Sequence, residues 1–306
     1  MAFGAFTKAP DDAVAAKQVQ RKSPIALILL LPGILYLILF FLTPMFSLII
    51  TSLERPAPGG FIGQYETAFR WQNYVDVVTM YSSHIARSFI YATAATFFAL
   101  IIGFPIAYVI AVKLRPYPLI QALALVVVIA PFFISFLLRT LAWKQIFADE
   151  AWLVQSLKAL GWMAQDGFIT GTHFSVIFGL TYLFIPFMTL PIYANLDRLD
   201  IRYLEAGQDL YASPITVFRT ITFPLAIPGV MAGTLLTFIP AAGDYINASR
   251  EFLGSLDTPM IGNVIEANFL VLENFPAASA LSVVLMASIL ILVSAYVKKT
   301  GTDELL

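Results

Sequence analysis

Asp244 and Tyr245 stand together at the end of a long apolar run, and Glu266 follows on a segment of helical period. These are side chains that hold cations. A carboxylate takes an ammonium group by charge and hydrogen bond, and a phenol offers its ring face. The loop that carries them is acidic throughout, with Asp244, Glu251, Asp257, Glu266 and Glu273 facing a single Arg250. It attracts cations within about a Debye length, roughly 8 Å at physiological salt. A solvated acidic rim has the same composition. Asp244 is the stronger candidate for contact with a solute, because an ionisable group at the end of an apolar run is costly unless it meets water, a partner or a ligand.

Other chemistries lack their residues. The chain has no cysteine, which excludes disulfides, thiolate metal sites and cysteine nucleophiles. His84 and His173 are isolated, with no carboxylate or second histidine at ligand spacing. There is no G-x-x-x-x-G-K-[ST] phosphate loop, so the chain supplies no ATP site. No basic stretch of the kind that binds nucleic acid stands out.

The elements that must position these residues belong in a bilayer. Charged residues make up 12% of 306 and apolar ones 59%, far from the balance of soluble domains. Six charge-free runs are long enough to cross roughly 30 Å of hydrocarbon: 23–53, 88–112, 116–138, 174–196, 220–243 and 274–297. The spacing predicts an all-α polytopic membrane protein of six transmembrane helices. A 22-residue basic tail precedes the membrane domain at 23–297, and a short tail follows it at 298–306. The first run is too long for one straight span, so it must tilt, leave the membrane or kink near Pro32 or Pro44.

Positive charge sets the orientation. With the N-terminus inside, Lys8, Lys17, Arg21, Lys22, Lys113, Arg115, Arg198, Arg202, Arg219, Lys298 and Lys299 fall on the cytoplasmic side, and both termini lie there. Trp71, Tyr74, Trp143, Trp152 and Trp162 then read as an outer interfacial belt. In the last outer loop Ile261, Val264, Ile265, Asn268, Phe269 and Leu272 share one face of a helix, leaving Asn263, Glu266 and Glu273 on the other.

The cytoplasmic segment 197–223 is polar and rich in turn residues. Tyr203 to Leu210 reads as a short helix marked by Glu205, Gln208 and Asp209. Ser213-Pro214 restarts the chain, serine as N-cap and proline as first helical residue. The result is a helix, a turn and a helix.

Glu205-Ala206-Gly207, three residues, Tyr211, nine residues, then Ile221-Thr222-Phe223-Pro224 resembles the EAA loop of permease subunits in binding-protein-dependent ABC importers. Gly207 stands for the second alanine of that pattern, Tyr211 for its glycine and Phe223 for its leucine. Arg139-Thr140-Leu141-Ala142-Trp143, Gly243-Asp244-Tyr245 and Met260-Ile261-Gly262-Asn263 are similar to segments of the spermidine/putrescine (PotB-like) permease branch. Importers of ferric ion, thiamine or other organic cations share parts of them.

The resemblance implies a type I ABC importer permease fold, without catalytic activity of its own, in a bacterial cytoplasmic membrane. In that family the EAA loop is a coupling helix docked on a dimer of cytoplasmic ATPase subunits, which bind ATP and Mg. Glu205, with Ala206 and Gly207, would anchor that helix here, and Asp209, Ser213 and Pro214 would shape its docking surface. The remaining implied partners are a second, homologous permease subunit and an extracytoplasmic substrate-binding protein. Asp244, Tyr245 and Glu266 would line the path of a small cationic solute. A gradient-driven transporter or an intramembrane enzyme would need ionisable or nucleophilic groups within the spans, and the six apolar cores carry no charge.

Overall fold

A computed structural model describes residues 24–300. The N-terminal tail 1–22 and most of the C-terminal tail 298–306 lie outside the described residues. The described chain is helical apart from connecting turns and one two-stranded hairpin, β1 (Arg55–Pro56) with β2 (Tyr65–Glu66). Among the described residues five helices are long and apolar enough to cross a membrane, and a bent pair, counted as one span, makes a sixth.

The first segment, taken by itself, comprises α1 (Pro24–Leu37), a widened π turn over Ile38–Leu42 and α2 (Thr43–Thr51). Proline chemistry explains the widening. Pro44 has no N–H, and its ring collides with the carbonyl of Phe40 in a regular α turn. In the π turn that carbonyl sits in a looser ring, and the Thr43 N–H bonds Ile38 O instead. The same device recurs before the fifth span, where the π turn Phe218–Thr222 holds the Thr220 carbonyl four residues before Pro224.

Helix α3 (Gln72–Tyr108) begins well before the charge-free run at 88–112 and continues through a π turn to Lys113. Asp76 and Arg87 interrupt hydropathy but not the helix, whose backbone hydrogen bonds do not depend on the polarity of the side chains. At 37 residues and about 1.5 Å each it is roughly 55 Å long, so it projects beyond the hydrocarbon. Its regularity fails once, at Tyr81 (φ −113°, ψ 18°).

The third run is not one straight rod. α4 (Pro118–Ile129) runs into a 3₁₀ turn at Ala130–Phe133, the chain is extended at Ile134 and Ser135, and α5 (Phe136–Ile146) departs at 94°. Pro131 lies in the tight turn where the direction changes. The loop after α5 folds α6 (Trp152–Ala159) and then enters α7 (His173–Asp197) through a reciprocal cap between Thr172 and Ser175. The loop after α7 contains α8 (Arg202–Asp209) and α9 (Pro214–Val217) and leads into α10 (Phe223–Ala242). α11 (Ile261–Leu270) lies before the final α12 (Phe275–Thr300).

Helices α3, α7 and α10 form the core. A stripe of small residues on α3, Ser88, Ala92, Ala95, Ala99, Gly103 and Ala107, is buried along its length, and Val176, Leu180, Met188 and Ile192 of α7 are buried with it. Small side chains let backbones approach, which matters where lipid tails are as apolar as leucine and give no hydrophobic drive between helices. Gly229 and Gly233 do this for α10. A Cβ at Gly229 would stand 2.9 Å from the Pro191 carbonyl oxygen, and one at Gly233 would stand 3.0 Å from that of Met188.

Because those neighbours are backbone, the two helices must separate to admit a larger residue. Gly229→Val and Gly233→Val are each expected to cost about 1–3 kcal/mol, read as a lower midpoint of thermal unfolding in detergent. Gly33→Ala, with open space around its Cβ, should leave the midpoint unchanged.

Candidate functional site

The helix–turn–helix between α7 and α10 is built by local caps. The Asp200 carboxylate accepts the Arg202 N–H at 3.0 Å and opens α8. Ser213 Oγ accepts the Thr216 N–H at 3.2 Å, with Pro214 at the first position of α9, as the Ser-Pro pair predicts. Leu204 and Gly207 of α8 are buried. A Cβ at Gly207 would meet Ile221 Cδ1 at 3.0 Å and Val217 Cγ2 at 3.1 Å, so glycine here lets α8 lie close on the entry to α10.

Most of the other described side chains on this loop face outward. Glu205, Ala206, Asp209, Ser213 and Pro214 are exposed, and so are Leu210 (82%), Tyr211 (99%) and Ile215 (71%). Tyr211 adopts the left-handed conformation, φ 55°, so the backbone keeps the turn for which the importer pattern uses glycine. A β-carbon in that region costs roughly 1–2 kcal/mol. The loop therefore presents carboxylates beside large, mostly bare apolar groups.

The acidic residues between α10 and α12 separate into two environments. Asp244 is buried, and its carboxylate is taken up locally: Oδ1 accepts the Asn247 backbone N–H at 2.8 Å and Oδ2 accepts Asn247 Nδ2–H at 3.0 Å. Burial pushes its pKa up to about 6, against the lowering effect of those hydrogen bonds. Asn247, itself fully buried, receives a hydrogen bond from Thr140 Oγ1 at 3.4 Å. Tyr245 is half exposed, and its carbonyl accepts from Asn263 Nδ2.

Glu266 lines a cavity of about 660 Å³ together with Tyr81, His84, Glu251, Asn263 and Asn268, and Arg250 also borders it. Burial holds Glu266 above the usual carboxylate range, and the negative charge of Glu251 raises it further. Asn268 is buried and donates to the Val264 carbonyl and, at 3.4 Å, to Tyr81 Oη, which sets the irregular turn of α3 against α11. The structure thus brings Glu266 together with Glu251 and Tyr81, while neither Asp244 nor Tyr245 lines this cavity. Glu251 was visible as part of the acidic loop; nothing in the sequence places Tyr81 beside it. His173 is engaged elsewhere, in a hydrogen bond between its Nδ1 and the Tyr91 hydroxyl.

Residues 103–299 fit the family described as binding-protein-dependent transport system inner membrane component. The chain is 32% identical over 262 residues to the spermidine/putrescine transport system permease protein PotB of Haemophilus influenzae, covering 85% of this chain and 89% of that protein. It is 32% identical over 254 residues to PotB of Escherichia coli, covering 82% and 88%. Among solved structures, it is similar to a chain of a bacterial ABC transporter involved in the import of the acidic polysaccharide alginate, with a TM-score of 0.62 at 16% identity over 88% of this chain and 92% of that one. A chain of the MetNI methionine ABC transporter gives 0.53 at 17% identity over 70% and 91%. At these identities the structural likeness speaks for the fold alone.

Two outcomes follow from the geometry. Tyr211→Gly should be tolerated and slow amide exchange across 202–217, whereas Tyr211→Val, β-branched at positive φ, should speed it by the equivalent of about 1 kcal/mol or more. For Asp244 the folded pKa lies above the unfolded value, so the folded state holds its proton longer and this group's contribution to stability falls as pH rises from about 4 to about 6. Asp244→Asn should flatten the thermal midpoint across that window.

Proposed function

Because this chain belongs to the family of binding-protein-dependent transport system inner membrane components and has the type I ABC importer permease fold, we propose that it is the membrane-spanning subunit through which an ATP-driven importer moves polyamines of the spermidine/putrescine class inward. The observation that carries this reading is the capped loop 202–217, whose exposed carboxylates stand beside Leu210, Tyr211 and Ile215. Large apolar side chains left bare on a structured loop outside the spans mark a protein interface. Their partner is a cytoplasmic ATPase dimer, in which ATP and Mg reside; this chain holds no cofactor and binds no nucleic acid.

In this assembly Glu205 anchors the coupling helix with Ala206 beside it on the exposed face, Gly207 keeps the helix thin enough to lie against the entry to α10, and Asp209, Ser213 and Pro214 shape the face offered to the ATPase. A second, homologous permease subunit completes the pathway, and an extracytoplasmic binding protein delivers the solute. The clustering of Lys and Arg in the short loops supports a bacterial cytoplasmic membrane location with both termini inside.

A polyamine carries two or three charges, and stripping their water without replacement is prohibitive. The outer cavity supplies replacements through Glu266 and Glu251, with Tyr81 as an aromatic face. Asp244 and Tyr245 lie at the head of α10 and meet the solute in other states of the cycle. Contact must stay weak, because a site that held the cation firmly would stall release.

The test is recovery of a nucleotide-hydrolysing partner with tagged permease from native membranes. Glu205→Ala should weaken recovery roughly tenfold, equivalent to about 1.4 kcal/mol of docking free energy, and polyamine-loaded binding protein should stimulate the reconstituted ATPase. Failure to recover any ATPase with the wild type defeats the importer reading. Stimulation by a binding protein loaded with another cation, and not with polyamine, changes the substrate.

A further inference from the structure

Arg115 lies in the short turn between α3 and α4, half-buried, and its guanidinium reaches across to the chain leaving α7. Nη1 donates to the Leu199 carbonyl at 2.9 Å and Nη2 to the Asp197 carbonyl at 3.2 Å. A helix C-terminus leaves its last carbonyls without partners in the helix, and its dipole is negative there. A fixed positive fork meets both needs. Gln121 on α4 adds a bond from Nε2 to the Asp197 carboxylate at 3.1 Å. Among the described residues no carboxylate stands within ion-pair distance of Arg115, so the fork is committed to backbone.

What it grips is the root of the coupling helix. The Ile201 carbonyl, two residues beyond Leu199, accepts the first hydrogen bonds of α8 from Leu204 and Glu205. At its other side, α8 rests through Gly207 on Val217 and Ile221 at the entry to α10. The loop is therefore tied to two separate parts of the bundle: to α10 by close packing, and to the α3–α4 turn by Arg115.

We propose that Arg115 is a positioning residue of the transport cycle, making the α3–α4 turn move with the coupling helix so that a displacement of α8 reaches α3 and α4 as well as α10. The inference rests on reading 197–223 as the ATPase-coupling loop. Arginine suits the role because its planar guanidinium spans two carbonyls in one fixed geometry. A lysine offers a single ammonium on a flexible stem.

The experiment reconstitutes the full transporter in proteoliposomes and measures solute taken up per ATP hydrolysed, with the KM for loaded binding protein and the amount of ATPase retained. Arg115→Ala should retain the ATPase and the KM while uptake per ATP falls about fivefold or more, the lower end of ordinary coupling free energies. Arg115→Lys should fall by less. If the alanine variant does not assemble, the lysine variant decides by the same ratio: a reduced ratio with full assembly supports the role. An unchanged ratio in the assembled variants overturns it, as does a loss of uptake in both variants that merely follows loss of bound ATPase. Absence of any ATPase with the wild-type permease is a different result, and strikes the importer reading itself.

Discussion

Inside hydrocarbon a backbone N–H or carbonyl has no water to turn to, so each must find its partner within the protein. Prolines make that demand acute. Pro44, Pro105, Pro131, Pro186, Pro191, Pro224, Pro228 and Pro240 all lie in or beside apolar segments, and each removes a donor and crowds the carbonyl four residues earlier. The chain answers in two ways. It widens the turn before Pro44 and Pro224, and at Pro131 it abandons the axis and departs at 94°.

Close contact supplies what the hydrophobic effect cannot supply among lipid tails. The small-residue stripe on α3 and the Gly229/Gly233 pair on α10 bring three helices near enough for backbone to touch side-chain roots. That dense core separates two irregular ends. At one end, buried polar groups link α5 to the loop after α10 through Thr140, Asn247 and Asp244. At the other, Arg115 and Gly207 fasten the loop that faces the solvent.

What could be read from the residues follows from how local the responsible physics is. α7 ends where its apolar run ends, at His173 and Asp197, and the Ser213-Pro214 start depends only on neighbours within one turn. The first sixteen residues of α3 were hidden because Asp76 and Arg87 interrupt hydropathy without interrupting hydrogen bonding. The bend at Ile134–Ser135 was hidden because a proline in an apolar run is compatible with both a kinked and a broken helix. Asp244 stood out as an unusual charge, yet its nearest answer lay three residues away in Asn247. Glu251, Glu266 and Tyr81 meet only because α3 and α11 pack together, and no spacing along the chain encodes that.

The length of α3 has a mechanical consequence. Beyond its irregular turn, the stretch of α3 from Tyr81 to Tyr108 is roughly 40 Å long, and a pivot of about 5° near its middle carries each end about 2 Å, in opposite directions. One end borders the cavity of Glu266 at Tyr81 and the other runs into the turn that holds Arg115. Such a seesaw cannot swing both ends to the same side at once, so one straight segment ties the two ends of the core together with opposite sense.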